Sequence, residues 1–357
     1  MRVILTTLYI VAVTILFNQF SDSIIDYNAR FRNWVVHNKA ETMSFDTNGI
    51  PISHSPRYDT SFISPFYVVH FGLIYSDKCQ LDAVKKSTYH WKEDTTIQYW
   101  PHTGISTLKN FKASVEWLAA HTNRTLTGQL HFLYDFDWNY PGHGVIRKPW
   151  WSGLTDGHAI TLFLRAYDCF GDPRYLEIAR ELYTSVTTPV SKGGSLIDFA
   201  GHPWIEEYVD PLAIDAPSPR VLNGMAYAYF GVRAYEEYIG KLTLADPLNE
   251  SIKENIGKFD LGYWSYYDAI RNHANIKYHN VNTSLLEDPR LYSNSYLEII
   301  RKWEIGRDVP LLFFSIYGPN SIERYQYILS YLILIIFPIV SYIIWLRRGR
   351  LFNRGKE

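Results

Sequence analysis

The sequence predicts a mainly α-helical protein, an incomplete α/α toroid of antiparallel helix pairs with long loops and small β elements, flanked by transmembrane helices. Three observations carry that expectation. Apolar residues recur at helical spacing in six internal segments, the loops between those segments are uneven in length, and both ends of the chain are long apolar runs. With 357 residues, 47% of them hydrophobic, the chain has ample material for a core.

The ends set the domain limits. Residues 3–17, VILTTLYIVAVTILF, follow Arg2 and suit a signal anchor or signal peptide over 1–20; without a small-residue cleavage motif in NQFSDS, an uncleaved anchor is favoured. Residues 325–346 are long enough to cross about 30 Å of hydrocarbon and run into the basic tail 347–357, which is expected on the cytoplasmic side. Residues 21–320 are then the extracytoplasmic domain. Sequons at Asn123, Asn249 and Asn282 fit that placement, and Cys79 and Cys169 permit one disulfide whose formation the sequence leaves open.

Within the domain, residues 44–64 read as loop with a turn at 46–49. Helices are expected at about 66–76, 105–121, 153–170, 173–187, 219–239 and 294–304. Ser152 is the N-cap expected for the third, and Pro173 the first-turn proline of the fourth. A net charge of −1 with interspersed signs excludes a broad nucleic-acid surface. Twenty-eight tyrosines and eleven tryptophans suit a carbohydrate cleft, where flat apolar faces with polar edges stack on sugar rings.

Three segments carry candidate chemistry. In WIEEYVD (204–210), burial of Glu206 or Glu207 beside Trp204 and Tyr208 would raise a carboxyl pKa toward the range of a general acid or base. In the helix opened by PSPR, Asn223 and Tyr227 share one face; Gly224 and Gly231 lie two turns apart and serve either helix packing or the site. Residues 259–282 read as a loop dense in Tyr, His and Arg, where Arg271 or Lys277 could lower a phenol pKa. No paired short-spacing His/Cys motif and no nucleotide-binding glycine motif is present, so no metal or cofactor is expected.

Taken in order, FDTNGIPISHSPRY (45–58), SPFYVVHFGLIYS (64–76), YDFDW (134–138), PWWSGLTDGHAITLFLRAY (149–167), WIEEYVD, PSPRVLNGMAYAYFGVRAYEEY (217–238), YYDAIR (266–271) and KYHN (277–280) resemble the D-glucuronyl C5-epimerase family. The resemblance implies an α/α toroid catalytic domain, no required cofactor, and conversion of glucuronate to iduronate in a polysaccharide or glycan. It assigns proton transfer to Glu207, Tyr208 and Tyr278, and substrate contacts to Asn223, Tyr227, Tyr267, His279 and Arg271, the last holding the uronate carboxylate. Departures stand at Trp151, Asp156, His158 and Asn282, and a glycan on Asn282 would crowd such a site, so that sequon is expected to be unused. Expected partners are the uronate polymer and the membrane; a homodimer is left open. Alternatives are a uronate lyase using the same C5 carbanion and a non-catalytic glycan-binding domain.

Overall fold

The computed structural model describes residues 2–39, 43–55, 60–77, 79, 107–213, 218–291 and 293–354. The core is a set of helices packed in antiparallel succession: α3 (Pro65–Ser76), α4 (Leu108–Ala120), α5 (Gly153–Phe170), α6 (Pro173–Thr187), α7 (Leu222–Tyr238), α8 (Ala245–Asn255), α9 (Ile276–Glu287) and α10 (Leu297–Asp308). The pairs α5–α7, α5–α6, α3–α4 and α3–α5 make the most extensive contacts. The fold is mainly helical with helix-pair packing of the α/α toroid kind.

Local chemistry fixes the boundaries. Ser152 caps α5 by accepting from Thr155 N, and Asp172 does so for α6 at Arg174 N, with Pro173 in the first turn. The helix expected from residue 219 begins instead at Leu222, because 219–221 are held out of helical geometry, Arg220 at a φ of 56°. Ala269 N bonds the carbonyls of Pro219 and Arg220, and Val221 bridges Asp268. α8 was missed, since its polar stretch DPLNES hides the buried Ala245, Leu248 and Ile252 at helical spacing.

Residues 44–64 are not plain loop. They hold an antiparallel meander of β1 (Met43–Phe45), β2 (Pro51–Ser55) and β3 (Thr60–Phe62). Asp46 closes the first hairpin by accepting from Asn48 N and Ile50 N, and Gly49 takes the positive φ of 82° that the turn requires. Short two-stranded pairs line the loop end: β4 (Asn123–Arg124) with β5 (Leu130–His131), β6 (Leu133–Tyr134) with β9 (Trp150–Trp151), β7 (Trp138–Tyr140) with β8 (Gly144–Ile146), and β10 (Leu196–Phe199) with β11 (His202–Ile205).

Cys79, just past α3, is disulfide-bonded to Cys169 in the last turn of α5. At the ends, α1 (Arg2–Gln19), α2 (Ser21–His37), α11 (Pro310–Tyr317) and α12 (Ile322–Arg354) gather around a second apolar cluster of Phe17, Ile25, Trp264, Ile276, Phe314 and Tyr327. Tyr9 donates to the carbonyl of Leu334, Thr14 meets Tyr331, and Phe17 stacks 4.8 Å from Tyr327, so α1 and α12 run antiparallel. Among the described residues, Ile322–Trp345 is a helix long and apolar enough to cross a membrane; Ile4–Gln19 and Ser21–His37 reach that measure only together, bent by 77°.

Candidate active site

The WIEEY segment leaves β11 with Trp204 and Ile205 fully buried, which drives both following glutamates inward. Glu206 folds the loop. Its Oε1 accepts from the backbone N–H of Glu207 at 2.9 Å and of Tyr208 at 3.3 Å, and its Oε2 accepts from Arg220 N at 3.1 Å. The loop is further stitched to the start of α5, since Gly153 N donates to Glu207 O and Trp151 pairs with Val209.

Glu207 faces the other way, into a cleft of about 230 Å³. It is 7% exposed, and its Oε2 has no hydrogen-bond partner among the described residues. Burial, reinforced by the charges of Glu206 and Asp268, pushes its carboxyl up to about 8. Gly224 makes room for it: a Cβ there would fall 2.8 Å from Glu207 Cβ. Gly231 serves packing, since a Cβ there would collide with the carbonyl of Gly157 on α5.

The same cleft is lined by Tyr208, Asn223, Tyr227, Tyr267 and Tyr278, so six of the eight sequence-predicted site residues meet in one space. The Tyr208 and Tyr267 hydroxyls are 3.2 Å apart, and the Tyr267 and Tyr278 rings are 4.7 Å apart. Burial pushes all three phenols above their ordinary value, Tyr208 and Tyr267 most of all, and the Glu207 charge adds to this. Tyr278 therefore rests as a phenol, contrary to the expectation of a cation-lowered pKa. The amide Nδ2 of Asn223 is buried without a partner among the described residues. Phe62, Phe136 and Trp138 stand partly exposed at the mouth.

Two sequence-predicted residues lie elsewhere. His279 points into the core, stacked 3.8 Å from Trp264, accepting from Ser265 N at Nδ1 and donating from Nε2 to Trp303 O. Burial lowers its pKa to about 3, so it is a neutral packing residue. Arg271 is exposed on a turn with a φ of 68° and does not line the cleft. The reason is Asp268, which accepts from Tyr140 Oη at 2.6 Å and from both nitrogens of Asn272, tying the turn so that Arg271 faces out. The cation among the described lining residues is Lys277, whose Nζ lies 5.6 Å from the Tyr278 ring centre. Residues 276–287 are helix, not loop: Asn275 caps α9 by accepting from Tyr278 N, which presents Lys277 and Tyr278 in its first turn.

The departures sit behind the cleft wall. Asp156 accepts from His131 Nδ1 at 2.7 Å and from Phe132 N, Trp151 stacks on His131, and His158 packs edge-on to Tyr227. Asn282 is buried and donates to Ser265 Oγ.

Residues 128–304, which hold every one of the cleft's candidate acid, base and cation groups, match the protein-family model described as D-glucuronyl C5-epimerase C-terminus. They are a C5-epimerase C-terminal domain. The chain is 28% identical over 165 residues to the D-glucuronyl C5-epimerase of Caenorhabditis elegans, covering 40% of this chain and 26% of that one. An uncharacterized protein of Methanocaldococcus jannaschii is 29% identical over 182 residues, covering 48% of this chain and 56% of that one. The chain thus spans about half or less of the length of these relatives. A solved GH8 endo-beta-1,4-glucanase from an Achatina fulica gut metagenomic library aligns at 14% identity with a TM-score of 0.44, over 78% of this chain and 76% of that one.

Proposed function

We propose that the chain is a membrane-anchored uronate C5-epimerase that converts D-glucuronate to L-iduronate residues in a polysaccharide or glycan. The observation that carries this is Glu207: a buried carboxyl pushed up to about 8, with one oxygen unpartnered among the described residues, sharing one aromatic cleft with the phenol of Tyr278.

Inversion at C5 needs a base on one ring face and an acid on the other. Ionised Glu207 takes the C5 proton, the electron pair moves into the adjacent carboxylate, and Tyr278 returns a proton from the opposite face. In the reverse direction the two exchange roles, with Tyr208 assisting Glu207. The carboxylate bearing the developing charge requires a cation, and Lys277 takes the role first assigned to Arg271. Asn223 and Tyr227 contact the sugar, and the mouth aromatics stack on its neighbours. The long apolar α12 supports a membrane anchor, and the Cys79–Cys169 disulfide suits a domain that works in an oxidising space.

Incubation of the protein with uronate-containing polymers in D₂O tests the reading. Deuterium at C5 without chain cleavage is the expected result. Unsaturated uronate ends would mean a lyase instead, and sugar affinity without exchange would mean a binding domain.

A further inference from the structure

Two apolar stripes remain uncovered where the C5-epimerase domain meets the terminal helices. On α2, Tyr27, Phe31, Trp34 and Val35 are 53–70% exposed. They follow Asp22 by five, nine, twelve and thirteen residues, which at about 100° per residue puts them within about 60° of the direction opposite it. Asp22 is the residue that α2 turns to the domain, accepting from Asn280 Nδ2 on α9 at 3.2 Å. The second stripe is Ile305 at the end of α10, Val309 at the break, and Leu312 and Ile316 one turn apart on α11, all exposed, while Trp303 and Phe314 are buried.

Both stripes converge on the root of α12. Asn18, at the bend between α1 and α2, accepts from Leu311 N at 2.8 Å. Arg324, one turn into α12, donates to the carbonyls of Ser315 and Gly318. Because α1 runs alongside α12 and α2 leaves α1 at 77°, a bilayer crossed by α12 would run nearly along the α2 axis. A water-exposed face this rich in aromatic and branched residues is unusual, and Trp, Tyr and Phe favour the headgroup boundary.

We infer that α2 and the α10–α11 stripe lie flat on the lipid surface as a platform and hold the cleft at the bilayer face. This rests on the reading of α12 as a membrane span. The platform reaches the chemistry through α9: its first turn presents Lys277 and Tyr278 to the cleft, Glu323 at the start of α12 stands in electrostatic reach of Lys277, and Asn280 holds Asp22.

The test is nitroxide depth measurement on the full chain in phosphatidylcholine–phosphatidylglycerol nanodiscs. Single labels go at Phe31→Cys, Leu312→Cys, Ile336→Cys within α12, and Leu126→Cys, a fully exposed site. The expected order of oxygen against nickel-chelate access is deepest at 336, headgroup depth at 31 and 312, and aqueous at 126. Labels at 31 and 312 as aqueous as 126, with 336 still deep, overturn the platform and leave the span standing. Low access to both reagents at 31 and 312 means a protein cover, such as a second copy, and also overturns it. An aqueous 336 removes the span and the platform with it. Should a label disturb folding, the share of quenching by headgroup-brominated lipid that is lost in Trp34→Phe gives the same decision, and no loss overturns the platform.

Discussion

Glu206 and Glu207 are neighbours in sequence with opposite duties, and the difference is a count of hydrogen bonds. Three backbone N–H groups hold Glu206 oxygens, whereas one oxygen of Glu207 has none among the described residues. In the proposed mechanism Glu207 is therefore the group whose titration governs exchange. In the direction where it is the base, kcat/KM should rise with pH to a plateau above about 8; where it is the acid, the rate should fall over the same range. Glu207→Gln and Tyr278→Phe should each cut C5 deuterium exchange by roughly 10² or more with substrate affinity retained. The same carboxyl has a stability signature. Its folded pKa lies above the unfolded value, so its favourable contribution is complete below about 4.5 and lost as pH rises through about 8. Glu207→Gln should then unfold later than the parent in urea at neutral pH, by on the order of 3 kcal/mol, and show no difference near pH 4. Lys277→Met should lower kcat by roughly 10² to 10³, while Arg271→Ala should stay within about threefold, measured by the same exchange assay.

At the scale of elements, α7 is placed against the Glu206–Tyr208 loop by an absence of side chain at Gly224. Gly224→Ala should displace Glu207, with a loss of exchange of roughly tenfold or more, although alanine is about 1 kcal/mol better in a helix interior. Thermal unfolding separates the two effects, since a merely structural glycine would leave exchange and stability moving together. Helices with continuous apolar spacing, α5 and α6 above all, were legible from the sequence to the residue, because Ser152 and the Asp172–Pro173 pair punctuate them. α9 was not, because its first turn is polar and aromatic for reasons of chemistry and hides the apolar Ile276, Val281, Leu285 and Leu286. The Glu207, Tyr208, Asn223, Tyr227, Tyr267 and Tyr278 cluster was legible through ordered short motifs. Arg271 and His279 were misplaced because a tight turn and a core histidine have no periodic signature, and the Asp268 knot that turns Arg271 outward depends on Tyr140, far off in sequence.

For the whole molecule, the terminal helices are part of the catalytic domain's support and not a detached tether. Ile276, one residue before Lys277, shares a buried cluster with Phe17, Ile25, Phe314 and Tyr327, so the helix bearing the candidate acid leans on both ends of the chain. Apolar composition at each terminus was plain in the sequence; that the two ends meet beneath the site was not, since 310 residues separate Phe17 from Tyr327 and periodicity carries no information at that range. The buried amide of Asn282 likewise takes that sequon out of reach, whereas Asn123 is exposed and Asn249 is half-buried with its amide donating to Arg290 O. The link between Cys79 and Cys169 turns a quarter of the polypeptide into a covalent ring. A protease that nicks the backbone once anywhere inside that ring opens it without releasing a fragment, so the clipped protein migrates at full mass until a thiol is added. Preparations from a secretory host should keep that integrity through purification, whereas material made in a reducing cytosol would fall into two pieces at the same cut.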